Sequence, residues 1–340
     1  MRSALFYRRK MFLDSLFFAV NAVTPIVLMV VIGYILRKIG FVDEKFAKQA
    51  NKLVFRIFLP IMLFSNVCKV DSFADFDYGY MIYTALATVT VFLLAFPVAL
   101  TVTKRSERRG VMLQAAFRSN YALIGIPLAG ALFGAQGELV ASILSLVSVP
   151  LINILAVISL TLFNKEGKKP TVGSVLIGII KNPLIEAILL GIIAVILREW
   201  LAGAEITFDI REVEPVWKTM SYLSGLATPL ALIALGAQFE FSALPGMKKE
   251  IITGVLVRCV IVPAVALSIA YFLFGDVFSG AAFAALVAMF ATPNAVSTVP
   301  MTQEMGGDAA LAGQLVVFTT LLSTATIFTS AFVFRILGVF

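Results

Sequence analysis

The chain has 340 residues, of which 60% are hydrophobic and 14% charged, with a formal net charge of +7. Soluble domains use about 45–50% apolar residues, so this composition excludes an ordinary soluble fold and predicts an all-α polytopic membrane protein. The chain contains no histidine, which removes the commonest proton shuttle and metal ligand. Cys68 and Cys259 lack metal-binding spacing and are interpreted as packing residues, so we expect neither a metal nor a cofactor.

Ten apolar segments, each near or above the ~20 residues that cross the hydrocarbon core of a bilayer, follow one another along the chain. They run from Leu16 to Leu36, Phe46 to Lys69, Gly79 to Thr103, Gly110 to Gly134, Leu139 to Phe163, Ser174 to Leu197, Val216 to Glu240, Ile251 to Phe274, Ser279 to Glu304 and Ala309 to Leu337. An alternative start for the sixth span is Pro183, because proline suits the first turn of a helix. No connection between spans is long enough for a soluble domain.

Lysine and arginine predict the orientation of these spans. Most of them lie in the connections that follow odd-numbered spans, among them Arg37, Lys38, Arg108 and Lys165. The positive-inside rule places that side in the cytoplasm. We therefore predict a multi-pass protein of the plasma (inner) membrane with both termini extracytoplasmic. The basic face explains the net charge, and no nucleic-acid partner is expected.

Residues 1–15 are interpreted as an N-terminal extension. Four of the basic residues on the predicted extracytoplasmic side lie within its first ten positions, MRSALFYRRK. The apolar run that follows is interrupted by Asp14 and lacks a small-residue cleavage site, so a signal peptide is disfavoured. We expect Met11 to be the native start.

The fourth and ninth spans are predicted to be broken. Their central segments read FRSNYALIGIPL, Phe117 to Leu128, and FATPNAVSTVPM, Phe290 to Met301. Each has an asparagine beside serine or threonine and a proline a few residues later. Backbone that leaves the helix inside a membrane is tolerated only where protein buries it or where it lines a wet cavity. Breaks at corresponding places in two halves therefore indicate the substrate site of a transporter.

The two halves of the chain have related landmarks. FLPIML in the second span, Phe58 to Leu63, matches ATPLAL in the seventh, Ala227 to Leu232. Because a repeat of five spans has an odd number of crossings, its twin must insert upside down. We predict two inverted five-helix repeats, 16–164 and 165–340, whose broken fourth and ninth helices cross near the midplane.

Three blocks of the sequence resemble the auxin efflux carrier family. They are NAVTPIVLMVVIGYILRKIGFVDEKFAKQANKLVFRIFLPIMLF (Asn21 to Phe64), AFRSNYALIGIPL (Ala116 to Leu128) and ATPNAVSTVPMTQEMGGDAALAGQLVVFTTLLSTAT (Ala291 to Thr326). The resemblance is to the bacterial branch, which is related to plant PIN-type carriers and more distantly to sodium/bile-acid symporters. It implies a scaffold of spans 1, 2, 6 and 7 that forms a homodimer. It also implies a moving transport domain of spans 3–5 and 8–10, and small organic anions as substrates.

The predicted site combines helix ends with polar side chains. The half-helices after the breaks, expected to start near Ile126 and Val299, would direct free N–H groups at a carboxylate. By the resemblance, Asn120 and Asn294 contact the substrate. Further substrate contacts are predicted for Ser119, Thr292, Ser297 and Arg118, and shaping of the crossing for Pro127, Pro293, Pro300 and Gly125. The alternative is that hydroxyl groups such as those of Ser119, Ser297 and Thr298 only satisfy the freed backbone.

Three arginines lie inside predicted spans, where a charge is a functional candidate. For Arg56 and Arg258 we favour an interpretation in which the side chain reaches back to the cytoplasmic interface. For Arg118, which immediately precedes the break, interface and site interpretations both stay open.

The mechanism expected is efflux by uniport, without a coupling ion, because neither break contains an acidic residue. A sodium- or proton-coupled anion symporter is the alternative. A membrane-embedded enzyme is a remote alternative. No second intramembrane aspartate accompanies Asp308, and Gly306 and Gly307 are interpreted as a turn. The sequence selects neither one anion nor the direction of transport.

Overall fold

The computed structural model of the protein describes residues 24–69, 78–163, 180–203, 209–239 and 241–340, together with positions 20, 173 and 177. The described residues form helices and connections and contain no β-strand. The predicted extension 1–15, the beginning of the first span and most of residues 164–179 lie outside the described residues.

The helices are numbered in chain order. They are α1 (residues 24–38), α2 (Glu44–Cys68), α3 (Tyr78–Val102), α4 (Ser106–Phe117), α5 (Tyr121–Leu162), α6 (Pro183–Gly203), α7 (Glu214–Gln238), α8 (Leu244–Phe274), α9 (Gly280–Phe290), α10 (Thr298–Glu304) and α11 (Ala309–Ile336). Among the described residues six helices, namely α2, α3, α5, α7, α8 and α11, are long and apolar enough to cross a membrane. The all-helical membrane fold is confirmed, and α6 begins at Pro183 as the alternative start predicted. The ten-helix inverted repeat stays a prediction.

Helix α5 contains the predicted boundary between the fourth and fifth spans. Its backbone is not helical at Phe133 and Gly134, and Gly134 has a φ of 65°. Because this left-handed conformation is costly for residues with a side chain, glycine suits the kink. The fourth span therefore ends at Gly134 as predicted, although helical hydrogen bonding resumes without a separate loop.

Three helices widen into a π-helical turn just before a proline. The turns are Val54–Phe58 in α2, Tyr121–Gly125 in α5 and Val257–Ile261 in α8. In each, the proline stands two positions after the turn, at Pro60, Pro127 and Pro263. Proline has no N–H and its ring clashes with the carbonyl four residues earlier. The extra residue of a π turn moves that carbonyl away, so these helices continue past proline.

The helices pack as two groups. In the first group, α2 packs on α6 and α7, and α1 approaches α7 through Gly33 and Gly236. In the second group, α5 packs on α4 and most extensively on α9, while α11 packs on α8 and α10. Helix α3 joins the second group through α4 and α5. Contacts between the groups are fewer and are made chiefly by α10 with α2. The first group contains spans predicted for the scaffold, and the second contains spans predicted for the transport domain. The division into domains stays a prediction.

Charged side chains tie the second group together at one end. The Arg108 guanidinium donates to the Glu250 carboxylate at 2.9 Å and to the Asp308 carboxylate at 2.8 Å. Asp308 also caps the first turn of α11 by accepting from the Leu311 N–H. The turn predicted at Gly306 and Gly307 is therefore present, and Asp308 has a structural role in it.

The contact between α1 and α7 gives a first testable prediction. A Cβ atom added to Gly236 would lie 2.0 Å from the Val30 carbonyl oxygen, whereas one added to Gly225 in the same helix would meet nothing within 4 Å. Alanine is favoured over glycine inside a helix by ~1 kcal/mol. We expect Gly236→Ala to lower the melting temperature in detergent and Gly225→Ala to preserve or raise it. Thermal unfolding followed by tryptophan fluorescence measures both, and shifts of the same sign would contradict this packing.

Candidate functional site

Two helices are interrupted where they cross. Helix α4 ends at Phe117 and α5 begins at Tyr121, while α9 ends at Phe290 and α10 begins at Thr298. The two connections between these ends meet in the interior of the helical bundle. The predicted breaks are therefore present in both spans.

The connections satisfy part of each other's backbone. Ser119 and Asn294 form an isolated antiparallel bridge. The Asn120 N–H donates to the Pro293 carbonyl at 2.8 Å, and the Ala295 N–H donates to the Arg118 carbonyl at 3.2 Å. This pairing removes the cost of leaving freed backbone groups unbonded away from water. Hydrogen bonds therefore hold the two connections against each other in one defined register.

The α-helical part of α5 begins at Ile126, as expected for the first half-helix. A π turn, Tyr121–Gly125, precedes it directly, so helical structure already starts at Tyr121. Pro300 lies inside the first turn of α10, which begins one position before the predicted Val299.

Gly125 and Pro293 shape the crossing by different means. A Cβ atom at Gly125 would lie 3.0 Å from the Ala288 carbonyl oxygen, so glycine permits the close approach of α5 and α9. Pro293 contributes the carbonyl that receives the Asn120 N–H. Both residues thus contact the crossing, and their role in shaping it stays a prediction.

Two of the predicted hydroxyl groups bind each other across the crossing. The Ser119 and Thr292 oxygens lie 2.6 Å apart, and the Thr292 hydroxyl also donates to the Ala288 carbonyl at 2.8 Å. The Asn294 N–H donates to the Thr319 hydroxyl at 3.2 Å. The Thr292 hydroxyl thus bonds to a main-chain carbonyl and the Ser119 hydroxyl to a side chain, while contact of either with a substrate stays a prediction.

Arg118 points into the protein and not to the membrane interface. Its side chain is buried, with 1% of the residue exposed. One terminal nitrogen donates to the Gln114 amide oxygen at 2.5 Å and to the Met301 sulfur at 2.8 Å. The other donates to the Asn153 amide oxygen and the Ser297 hydroxyl, both at 3.0 Å. The interface interpretation of Arg118 is therefore wrong, and the guanidinium is held beneath the break.

Several polar atoms at the crossing have no hydrogen-bond partner among the described residues. They are the Nε of Arg118, the Nδ2 of Asn120 and both amide atoms of Asn294. A buried polar group without a partner costs about 1–3 kcal/mol. Such a concentration in one place requires an explanation, and a ligand that supplies the missing hydrogen-bond partners is one.

A cavity of about 640 Å³ reaches the crossing from one end of the molecule. It lies between the two helix groups and is lined at the crossing by Arg118, Ser119, Asn120, Asn153, Ala295, Val296 and Ser297. At its outer end it is lined by Lys69 and Leu139. Asn294 and Thr292 do not line it. Of the predicted contacts, Arg118, Ser119, Asn120 and Ser297 are therefore the ones that line this cavity.

Asn153 was missed by the sequence analysis. It lies in α5, lines the cavity and holds Arg118. The sequence signal that could have identified it is an uncharged amide within an apolar span, three positions after Pro150. Polar groups inside a membrane face the protein interior or a wet cavity.

The interpretation of Arg258 as an interfacial side chain is wrong. The residue is 1% exposed, and its guanidinium donates to main-chain carbonyls of α9 and of the break that follows it. Arg56 agrees with the interfacial prediction, because its side chain is 63% exposed and lies 3.3 Å from the Glu304 carboxylate. Depth in the span was the same kind of signal for both arginines, but main-chain carbonyls inside the protein bind Arg258.

A second cavity, of about 730 Å³, lies at the opposite end of α2, where Arg37, Lys38 and Lys48 line it. Beside this cavity, three side-chain amides form hydrogen bonds between the two helix groups. The Asn51 amide nitrogen donates to the amide oxygens of Gln238 and Gln303, each at 3.0 Å. Gln238 also donates to Gln303 at 3.2 Å. We call Asn51, Gln238 and Gln303 the amide cluster, and it joins α2 and α7 to α10.

Two broken helices that cross beside an interior cavity define a class of helical membrane proteins that move solutes. A family model described as "Membrane transport protein" matches residues 18–329. The chain therefore belongs to this family, the auxin efflux carrier family that its sequence resembles.

Two curated relatives come from methanogenic archaea. One is an uncharacterised transporter of Methanothermobacter thermautotrophicus, 24% identical over 311 residues, which cover 90% of this chain and 95% of the relative. The other is an uncharacterised transporter of Methanocaldococcus jannaschii, 25% identical over 254 residues, covering 73% of this chain and 78% of the relative. This chain is thus similar to transporters over most of its length.

Proposed function

We propose that this protein is a secondary transporter that carries a small organic anion, such as a mono- or dicarboxylate or an auxin-like acid, through the crossing. The observation that carries the proposal is the pair of donors without partners among the described residues, Asn120 Nδ2 and Arg118 Nε, on residues that line the cavity. Both are donors, so the group they lack is an acceptor. A carboxylate supplies acceptors for two donors at once.

The charges of the cavity favour an anion. Among the described residues that line it, the charged ones are Lys69 at the mouth and Arg118 at the crossing, and both are cations. Helix α5 begins at Tyr121, so its positive dipole end also lies at the crossing. In a medium of low dielectric, these charges attract a carboxylate more strongly than they would in water.

The size and lining of the cavity fit a small solute. Its volume of about 640 Å³ lies within the usual range of small-molecule sites, about 300–1,000 Å³. Away from the crossing the walls are largely apolar, with Leu59, Met62, Leu63 and Ile143 among them. Such walls accept the hydrocarbon part of an organic acid.

Transport follows from a movement of the second helix group against the first. In the state observed, the cavity opens beside Lys69, which the predicted orientation places outside the cell. Sliding of the second group with the crossing would carry the bound anion past α2 and α7 to the other side, as in an elevator. In this proposal the ten spans form two inverted repeats and the first group forms a homodimer.

Direction and coupling follow from charge. A negative-inside potential drives an anion outward by ~2.3 kcal/mol per charge per 100 mV, so uniport suffices for efflux. We propose uniport-type efflux across the plasma membrane. Coupling to sodium or protons is the alternative that the assay below distinguishes.

The test is flux in proteoliposomes. Vesicles loaded with unlabelled malate, acetate or indole-3-acetate are diluted into the same labelled acid, with a potassium diffusion potential set by valinomycin. We expect saturable exchange of at least one acid and net flux that follows the potential without sodium or a pH gradient. A requirement for either ion would replace uniport by symport. Absence of flux for every acid tested, with protein that unfolds cooperatively, would overturn the proposal.

A further inference from the structure

Arg258 occupies a cluster of main-chain carbonyls at the crossing. Its Nε donates to the Thr292 carbonyl at 2.9 Å, and one terminal nitrogen donates to the Thr292 and Met289 carbonyls at 2.7 and 3.0 Å. The other terminal nitrogen lies 3.5 Å from the Ala116 carbonyl. One guanidinium therefore joins the C-terminal ends of α4 and α9. Arg258 does not line the cavity, so its position differs from that of Arg118.

The charge of this group matches its surroundings. The C-terminal end of a helix carries about −0.5 of an elementary charge, so two such ends carry about −1. Helices α4 and α9 are both long enough to have developed dipoles, with 12 and 11 residues. A single guanidinium supplies the compensating positive charge, and its planar fork of five donors suits several carbonyls at once.

Carbonyls at the ends of broken helices also bind inorganic cations in transporters. A hard cation such as Na⁺ is held by oxygen ligands of the kind that converge here. In this chain the carbonyls of Ala116, Met289 and Thr292 already have a cationic partner, which is covalently attached through α8. The cluster thus has the ligands of a cation site and a resident cation.

We propose that Arg258 is a built-in cation that takes the place of a coupling ion at the crossing and holds α4 and α9 together without sodium. Arg258 is a positioning residue and does not touch the transported anion. The consequence for flux rests on the proposed function, whereas the consequence for stability does not. Sodium-independent transport follows from a site that is already filled.

Chemical rescue tests the inference. Arg258→Ala removes the resident cation and leaves space for a free one. We expect this variant to melt at a lower temperature and to carry anions about tenfold more slowly, since hydrogen bonds to a charged group are lost. Added guanidinium at low millimolar concentration should restore both quantities saturably, and choline at equal ionic strength should restore neither.

The matched control is Arg56→Ala, which removes an exposed arginine of another π turn. Guanidinium should leave its melting temperature and its flux unchanged. Rescue of Arg258→Ala by Na⁺ would equally support a cation site. Wild-type behaviour of Arg258→Ala, or failure of every added cation to restore it, would overturn the inference.

Conservative variants keep the inference testable where the alanine variant does not fold. Arg258→Lys retains the positive charge, and Arg258→Gln retains hydrogen bonding without it. We expect the lysine variant to be the more stable and the faster of the two, and an equal or reversed order would overturn the proposal. If the wild type carries no anion, the proposed function fails, while thermal rescue still decides the role of Arg258.

Discussion

Replacement of Asn120 with alanine is expected to lower anion transport about 10- to 100-fold, because a hydrogen bond to a charged group contributes about 1.5–3 kcal/mol. The Asn120 amide nitrogen has no hydrogen-bond partner among the described residues, so its removal breaks no hydrogen bond of that nitrogen. Folding stability without substrate should therefore change little. Initial rates of proteoliposome flux measure the loss, and thermal shifts with and without substrate show whether binding is the step affected.

The control for this variant is Asn66→Ala. Asn66 lines the same cavity but belongs to α2, in the first helix group, away from the crossing. The substitution removes the same amide from another part of the cavity wall, so we expect near wild-type flux. Equal losses in both variants would show that general polarity of the cavity matters and that Asn120 has no special role. Wild-type flux in Asn120→Ala would contradict the assignment of the site.

The breaks were predictable because their cause is local. Proline and glycine within an apolar span, with asparagine and serine beside them, disfavour an uninterrupted helix whatever surrounds it. The same local pattern placed the α-helical start at Ile126 but did not predict the π turn that precedes it. A π turn depends on how the whole helix packs, which the sequence around Pro127 does not show.

The partners of the arginines were not predictable. Arg258 meets the Thr292 carbonyl 34 positions away, and Arg118 meets Asn153 35 positions away. Depth in a span is compatible with a side chain that reaches the interface and with one that turns inward. The direction is decided by which helix ends lie nearby, and that depends on the tertiary packing of α9 and α5.

A second large effect is expected from Gln303→Leu, which removes the centre of the amide cluster. Gln303 accepts from Asn51 and Gln238 and donates to the Lys48 carbonyl at 3.1 Å. These bonds join α10 of the second group to α2 and α7, so in the proposed mechanism we expect them to stabilise the state in which the cavity opens beside Lys69. At about 1 kcal/mol per bond, loss of these three bonds amounts to about 3 kcal/mol and shifts the balance between states by roughly 100- to 200-fold.

Accessibility of the cavity measures this shift. In a background without Cys68 and Cys259, a cysteine introduced at Ser145, which lines the cavity, is labelled with a membrane-impermeant maleimide from the predicted extracytoplasmic side. We expect Gln303→Leu to slow this labelling. Gln49→Leu makes the same change at an exposed position of α2 and should leave the rate unaltered. If Gln303→Leu also leaves the rate unaltered, the amide cluster does not hold the cavity open, and another contact between the helix groups must set the equilibrium.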